Sequence, residues 1–318
     1  MHFFPRNRIP MISKAKAVLT GLCLAVLLSG CGRKASVSPD ASSMHGTREH
    51  TPRVLTPKAP GTSVLGTRDV SLDVSNARDG YFCASYTGDS DKVKLQVVTK
   101  DQITYTYDLP SDGSLQVFPF SDGSGDYSIG VYTNVENTLY ATEYQTTLSV
   151  SLENEYLPFL YPNQYVWFTT GTKAVEKAAE IVTPADTDLD AVTLIYDYVI
   201  NHVSYDWDEA KNVESGYLPD VDEVLESGKG ICFDYSALMA AMLRSQRIPT
   251  RLEIGYAGTT YHAWISTYIE EIGWVNGIIQ FDGTDWSLMD PTLASTESSR
   301  EVKKFISDGT QYRTCYLY

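Results

Sequence analysis

Five side chains between residues 67 and 318 could supply a nucleophile or a base near neutral pH: Cys83, Cys232, Cys315, His202 and His262. No two of them have the close pairing of structural zinc ligands, so no metal site is expected. The phosphate-cradling GxxxxGK[ST] run, a GxGxxG turn after a strand and the GxSxG elbow are all absent from the sequence. What remains is a thiol working with an imidazole. Cys232 stands where physics would activate it, because it follows Gly228-Lys229-Gly230 and opens a run of helical periodicity. Orphan N–H groups and the macrodipole at a helix N-terminus favour a thiolate, and a neighbouring His⁺ can bring such thiols to pKa values of roughly 3.5 to 7.5. Cys83 falls in a strand-like run and Cys315 far along the chain; a packed thiol, or a disulfide between the two, suits them better. His262 opens a strand in Tyr261-His262-Ala263-Trp264, and the residues alone leave it open between a structural histidine and a base. His202, late in a helix, is expected to bond the last carbonyls.

Elements must hold these groups. From Asp69 to about Leu152 the pattern has period two, as in Val93-Leu95-Val97 and Ile103-Tyr105-Tyr107-Leu109. Asp79-Gly80, Asp112-Gly113 and Asp122-Gly123 fall between such runs, where tight turns are expected. About seven short strands at this spacing predict an antiparallel β-sandwich over residues 67–155. After Trp167 the period changes. Helices are expected over Lys173 to Val182, Asp188 to Val203, Val221 to Leu225 and Cys232 to Arg244, the last with Tyr235, Leu238, Met239 and Met242 on one face. Strands are expected over Arg251 to Tyr256, His262 to Ile269, Gly273 to Phe281 and Trp286 to Asp290. Helices followed by strands, without βαβ alternation, argue α+β for residues 166–318. A chain of 318 residues is expected to fold as two domains rather than around one core.

Ahead of them lies an address. Lys14 and Lys16 precede the apolar run AVLTGLCLAVLL, too short to span a bilayer, so residues 1–30 read as a signal peptide, with Met11 a better start than Met1. The run ends in Leu28-Ser29-Gly30-Cys31, which resembles a bacterial lipobox and implies lipidation of Cys31, hence an exported protein anchored to the cell-envelope membrane on its extracytoplasmic face. Residues 31–66, rich in Ser, Thr, Pro and Gly, read as a disordered tether. Forty acidic against 25 basic residues, net −15, exclude a nucleic-acid partner.

The motif that carries Cys232 can now be followed along the chain: Gly230-Ile231-Cys232-Phe233-Asp234-Tyr235, Leu243-Arg244, Ile248-Pro249-Thr250-Arg251, Gly255-Tyr256, His262-Ala263-Trp264 and Trp286-Ser287-Leu288-Met289-Asp290-Pro291. Together these resemble the catalytic core of the transglutaminase-like superfamily over about residues 188–295. The resemblance implies a papain-like arrangement with Cys232 as nucleophile, His262 as base and Asp290 as the orienting carboxylate. Asp282 and Asp285 are rival carboxylates. It implies acyl transfer on peptide or glutamine amides through a Cys thioester, by hydrolysis or by transamidation, with a protein or peptide substrate and no cofactor. The Cys232 N–H is the expected oxyanion donor. Trp264 and Trp286 are candidate substrate-binding residues, although packing explains them equally well. A non-catalytic cell-surface binding module with the same fold is the alternative. Where the family has glycine before Ile-Pro this chain has Arg247, a costly residue at a left-handed cap. Asp206, Asp208 and Glu209 lack the Gly turn and terminal Glu of a calcium loop and read as a solvated loop.

Overall fold

The computed structural model describes residues 45–270, 272–276, 278–281, 286–289 and 312–318. The expected signal peptide, Cys31, Asp282, Asp285 and Asp290 lie outside the described residues.

Eight strands form the first part: β1 (Val64–Gly66), β2 (Val70–Asp73), β3 (Tyr81–Tyr86), β4 (Val93–Val98), β5 (Thr104–Leu109), β6 (Gln116–Pro119), β7 (Gly125–Glu136) and β8 (Leu139–Val150). They make two antiparallel sheets, ordered β1-β2-β3-β6 and β5-β4-β7-β8. Alternation decides which side chains go inward. Val93, Leu95 and Val97 of β4 and Tyr105, Tyr107 and Leu109 of β5 are buried, while the residues between them stay partly or wholly exposed. The sheets meet through rings, Tyr107 against Phe118 at 4.8 Å and Tyr127 against Phe120 at 4.8 Å; each such side chain removed from water contributes about 1.5–3 kcal/mol. Gly113 and Gly123 turn the chain at positive φ as expected. Strands β7 and β8 exceed the expected short lengths, forming one long hairpin with register shifts at Val131/Tyr132 and Asn134/Glu136.

The helical part follows: α1 (Lys173–Ile181), α2 (Asp188–His202), β9 (Ser204–Tyr205), α3 (Trp207–Asn212), α4 (Val221–Ser227), β10 (Lys229–Gly230) and α5 (Cys232–Ser245). Thr187 and Asp190 cap α2 reciprocally. The acidic stretch expected as a loop is the start of α3: the Asp206 carboxylate accepts the N–H groups of Asp208 and Glu209, which is helix capping. Helix α5 is buried on all sides from Asp234 to Ser245, not on one face as expected; Ala237, Ala240 and Ala241 let neighbours approach its backbone closely. An antiparallel sheet covers it, built from β11 (Thr250–Ala257), β12 (Thr260–Ile269) and β13 (Gly273–Asn276), while β14 (Ile278–Phe281) and β15 (Trp286–Met289) form a separate hairpin. A last strand, β16 (Tyr312–Leu317), escaped the sequence reading and pairs with β11, giving the order β13-β12-β11-β16.

The end of α5 is a Schellman turn. Ile248 N–H donates to Leu243 C=O (3.1 Å) and Arg247 N–H to Arg244 C=O (3.0 Å), with Arg247 at φ +67°. Arginine therefore occupies the left-handed position that glycine would fill without strain. Its guanidinium donates to the carbonyls of Glu49 and Thr51.

Two expectations are corrected. Residues 45–66, read as part of a disordered tether, are hydrogen-bonded along the fold: Gly46 N–H to Thr183 C=O (2.9 Å), Arg53 N–H to Ser245 C=O (2.8 Å), Lys58 N–H to the Tyr81 hydroxyl (2.9 Å) and Gly61 N–H to Asp73 Oδ2 (2.7 Å). Arg48 adds a bond to Gln246 C=O (2.6 Å) and an ion pair with Asp188 (2.7 Å). A segment with little apolar surface is still ordered where helix-end carbonyls and polar side chains of the fold accept its N–H groups. Second, the two parts share one continuous core. Tyr316 and Tyr318 each lie 5.5 Å from Tyr105 of the sandwich, and Tyr165 lies 4.3 Å from Tyr318. Arg244, buried at 1% exposure, donates to the carbonyls of Thr250, Tyr161 and Tyr318.

Candidate active site

Helix α5 begins where three backbone constraints converge. Strand β10 pairs in parallel with β9, which fixes the chain just before the helix. Ile231 N–H donates to Asp234 Oδ2 at 2.7 Å, so the third residue of the helix closes its own first turn. Gly230 is needed for that closure, since a Cβ there would stand 2.6 Å from Asp234 Cβ. Cys232 follows as the first helical residue, half-buried and a free thiol. Its N–H, at the helix start, has no intrahelical acceptor.

Asp234 is fully buried and holds the Tyr217 hydroxyl at 2.7 Å through its other oxygen. Burial pushes its carboxyl up to about 6, with the Ile231 N–H and the Tyr217 hydroxyl pulling the other way. The Tyr217 hydroxyl is raised in turn, by burial first and then by Asp234. The motif contained Asp234, yet only the three-dimensional contacts assign it this work.

His262 is the third residue of β12, buried at 8% exposure, opposite Gly255 of β11. Gly255 lets β16 come close: a Cβ there would meet the Arg313 carbonyl oxygen at 2.1 Å. The imidazole ring lies 6.2 Å from Trp264, near parallel to it, and 6.5 Å from Tyr312. Trp264 is itself buried at 4%, packed edge-on against Tyr312 at 5.0 Å. Its place is behind His262 in the core, which favours packing over substrate contact.

A cavity of about 380 Å³ opens beside these residues, bordered by Ile231 and Phe233 on either side of Cys232 and by Tyr261, His262 and Ala263 of β12. Its far wall comes from the sandwich, Thr104, Thr106 and Asp108 of β5, together with the 213–218 loop. No periodicity could have announced that the sandwich lines this cleft. Burial raises the Tyr261 hydroxyl.

Of the residues expected at the site, Cys232 and His262 stand on packed neighbours, α5 and β12; His262 lines the cavity, and from α5 and its cap the lining comes from Ile231 and Phe233, which flank Cys232. Trp286 belongs to β15, and Asp290 follows that strand in sequence outside the described residues. His202 does what its position predicts, its Nδ1 bonding Tyr198 C=O at 2.8 Å while the ring stacks on Tyr198 at 4.0 Å. Cys83 and Cys315 are free thiols rather than a disulfide. Burial pushes the Cys83 thiol up to about 12. Among the described residues no cluster of His, Cys, Asp and Glu could hold a metal ion.

Residues 175–277 match the model of the transglutaminase-like superfamily, and the chain carries a transglutaminase-like domain. A UPF0252 protein, MJ1282 of Methanocaldococcus jannaschii, is 31% identical over 85 residues, 23% of this chain and 24% of that protein. YebA, an uncharacterized protein of Bacillus subtilis, is 25% identical over 189 residues, 50% of this chain and 25% of that protein. The chain thus spans about a quarter of the length of these relatives. The solved periplasmic domain of TgpA from Pseudomonas aeruginosa aligns over 73% of this chain and 95% of its own, at 16% identity and TM-score 0.32.

Proposed function

We propose that this protein is an exported, lipid-anchored cysteine enzyme that performs acyl transfer on peptide or glutamine amides. The observation that carries the reading is the placement of Cys232 on the first turn of α5 while His262, on β12, borders the same cavity as its two neighbours in sequence. In this reading the Cys232 thiolate attacks the amide carbonyl, and the oxyanion forms against the Cys232 N–H. The C–N bond breaks, the His262 imidazolium gives its proton to the departing amine or ammonia, and a thioester remains. Water or an amine then attacks the thioester as His262 takes back a proton, and the C–S bond breaks to restore the thiolate. Asp290 orients the imidazole and stabilises its cation. Export and anchoring rest on the leader and Cys31.

The test uses iodoacetamide and a glutamine peptide. Cys232 is expected to alkylate at pH 6 much faster than Cys83 and Cys315, and Cys232→Ala to abolish ammonia release from carbobenzoxy-Gln-Gly. Label incorporation from a fluorescent amine identifies transamidation; ammonia without label identifies hydrolysis. Turnover surviving in Cys232→Ala overturns the Cys232 mechanism; equal alkylation of the three thiols overturns it too and favours a binding module.

A further inference from the structure

We propose that the outer edge of β5 is a docking rail on which an extended polypeptide substrate adds as one more strand, leading its reactive amide to Cys232. The proposal rests on the enzymatic reading above and adds how the substrate is held.

The sheet order β5-β4-β7-β8 leaves β5 paired on one side only. The phase of its pairing follows from the turn before it: Thr99 N–H donates to Ile103 C=O at 3.0 Å. Narrow and wide pairs alternate in an antiparallel ladder, so with the register Val97↔Tyr105, Leu95↔Tyr107 and Val93↔Leu109 these pairs exchange the hydrogen bonds. Thr104, Thr106 and Asp108 then point their N–H and C=O groups to the outer edge. Two side chains agree with that phase, Gln164 Nε2 donating to Asp108 C=O at 2.8 Å and the Tyr165 hydroxyl reaching Thr106 C=O at 3.5 Å; they stand where the donors of an added strand would be and give way to it when it docks. The N–H groups of Thr106 and Asp108 have no acceptor among the described residues. These same residues form the cavity wall facing Ile231, Phe233 and His262.

Donors on alternate residues of a strand are about 7 Å apart, the spacing of alternate carbonyls in an extended polypeptide. Main-chain bonds of this kind supply affinity for a strand whatever its sequence, and alternate side chains find pockets. Tyr165, Phe233, Tyr261 and Tyr316 supply apolar surface for them. A free amino acid or small amine would leave most of the rail unused. The rail therefore selects unfolded or extended chains over small amides.

Thr106→Pro removes one edge donor where proline is tolerated, because that N–H faces away from β4. Fluorescein-labelled casein serves as the extended substrate and carbobenzoxy-Gln-Gly as one too short to use the rail. The expected result is that kcat/KM for casein falls at least tenfold further in Thr106→Pro than in Thr106→Ala, while the two variants differ less than threefold on the dipeptide. Equal loss on casein in the two variants overturns the rail. Folding is kept out of the question by a second measurement on the Cys232→Ala protein: with casein bound, the Thr106 and Asp108 amides should exchange with solvent at least tenfold more slowly. Unchanged exchange with casein bound, or no binding of casein, also overturns the rail. Failure of the enzymatic reading shows separately, as equal alkylation of the three thiols in the wild-type protein.

Discussion

Arg247 offers a test in which two substitutions act through opposite physics. The residue sits at φ +67° in the Schellman turn that ends α5, a conformation that costs a residue with a Cβ about 1 kcal/mol. Against that strain stand the guanidinium bonds to the carbonyls of Glu49 and Thr51, partly open to water and so near the low end of about 0.5–1.5 kcal/mol each. Arg247→Ala keeps the strain and loses both bonds, and should destabilise by about 1–2 kcal/mol. Arg247→Gly loses the same bonds and relieves the strain, ending within about 1 kcal/mol of the wild type. Glycine is thus expected to exceed alanine by about 1 kcal/mol, reversing their order in a helix interior. In urea unfolding this separates the two midpoints by roughly 0.3–0.5 M. Both variants should also speed amide exchange at Arg53, whose N–H reaches Ser245 C=O only while the 45–53 segment lies along the helix end. An alanine variant as stable as the glycine one would refute the strain argument.

Two further perturbations address the buried ionisable groups. Burial raises the Asp234 carboxyl to about 6, so the native state holds its proton more tightly than the unfolded chain. The contribution of this group therefore weakens stability as pH climbs from about 4 to about 6 and is level above, a swing of about 3 kcal/mol. Asp234→Asn should remove that swing from the difference between urea unfolding at pH 4 and pH 7; an identical difference in both proteins refutes it. Arg244→Met keeps the volume but strips the donors from the carbonyls of Tyr161, Thr250 and Tyr318, for an expected loss of at least about 3 kcal/mol. A loss under about 1 kcal/mol would mean that burying the guanidinium costs as much as its bonds return.

The sandwich was readable because its strands have one wet and one dry face, so Val93-Leu95-Val97 and Tyr105-Tyr107-Leu109 alternate visibly. Helix α5 was readable from its glycines, its apolar run and its motif, and Arg247 stands at the strained position where the motif departs from the family pattern. What escaped depends on partners remote in sequence. Strand β16 has a β-prone composition but no local turn to pair it, since β11 lies far upstream. Helix α3 is six residues long with no buried side chain, too short to show a period, although Asp206 was a legible cap. The 45–66 segment is held by polar bonds to helix ends, to Tyr81 and to Asp73, and by the pairing of β1 with β2, rather than by a hydrophobic stripe. Asp234 was visible as a letter in the motif, but its bond to Tyr217 arises only when the 213–218 loop folds over the helix start.

Strand β11 has two neighbours of very different origin. The β12 partner arrives through a hairpin that closes at Ala257↔Thr260, whereas Glu253 must wait for Leu317. Closing the longer loop costs roughly 3 kcal/mol more in chain entropy, so the hairpin should assemble early and β16 among the last steps. Because Tyr318 receives the Arg244 bond and Leu317 N–H reaches the Tyr105 hydroxyl, that late arrival is also what clasps the sandwich to α5. The wall that Tyr316 and Tyr318 give the cleft is thereby completed only after residues 312–318 have joined the sheet.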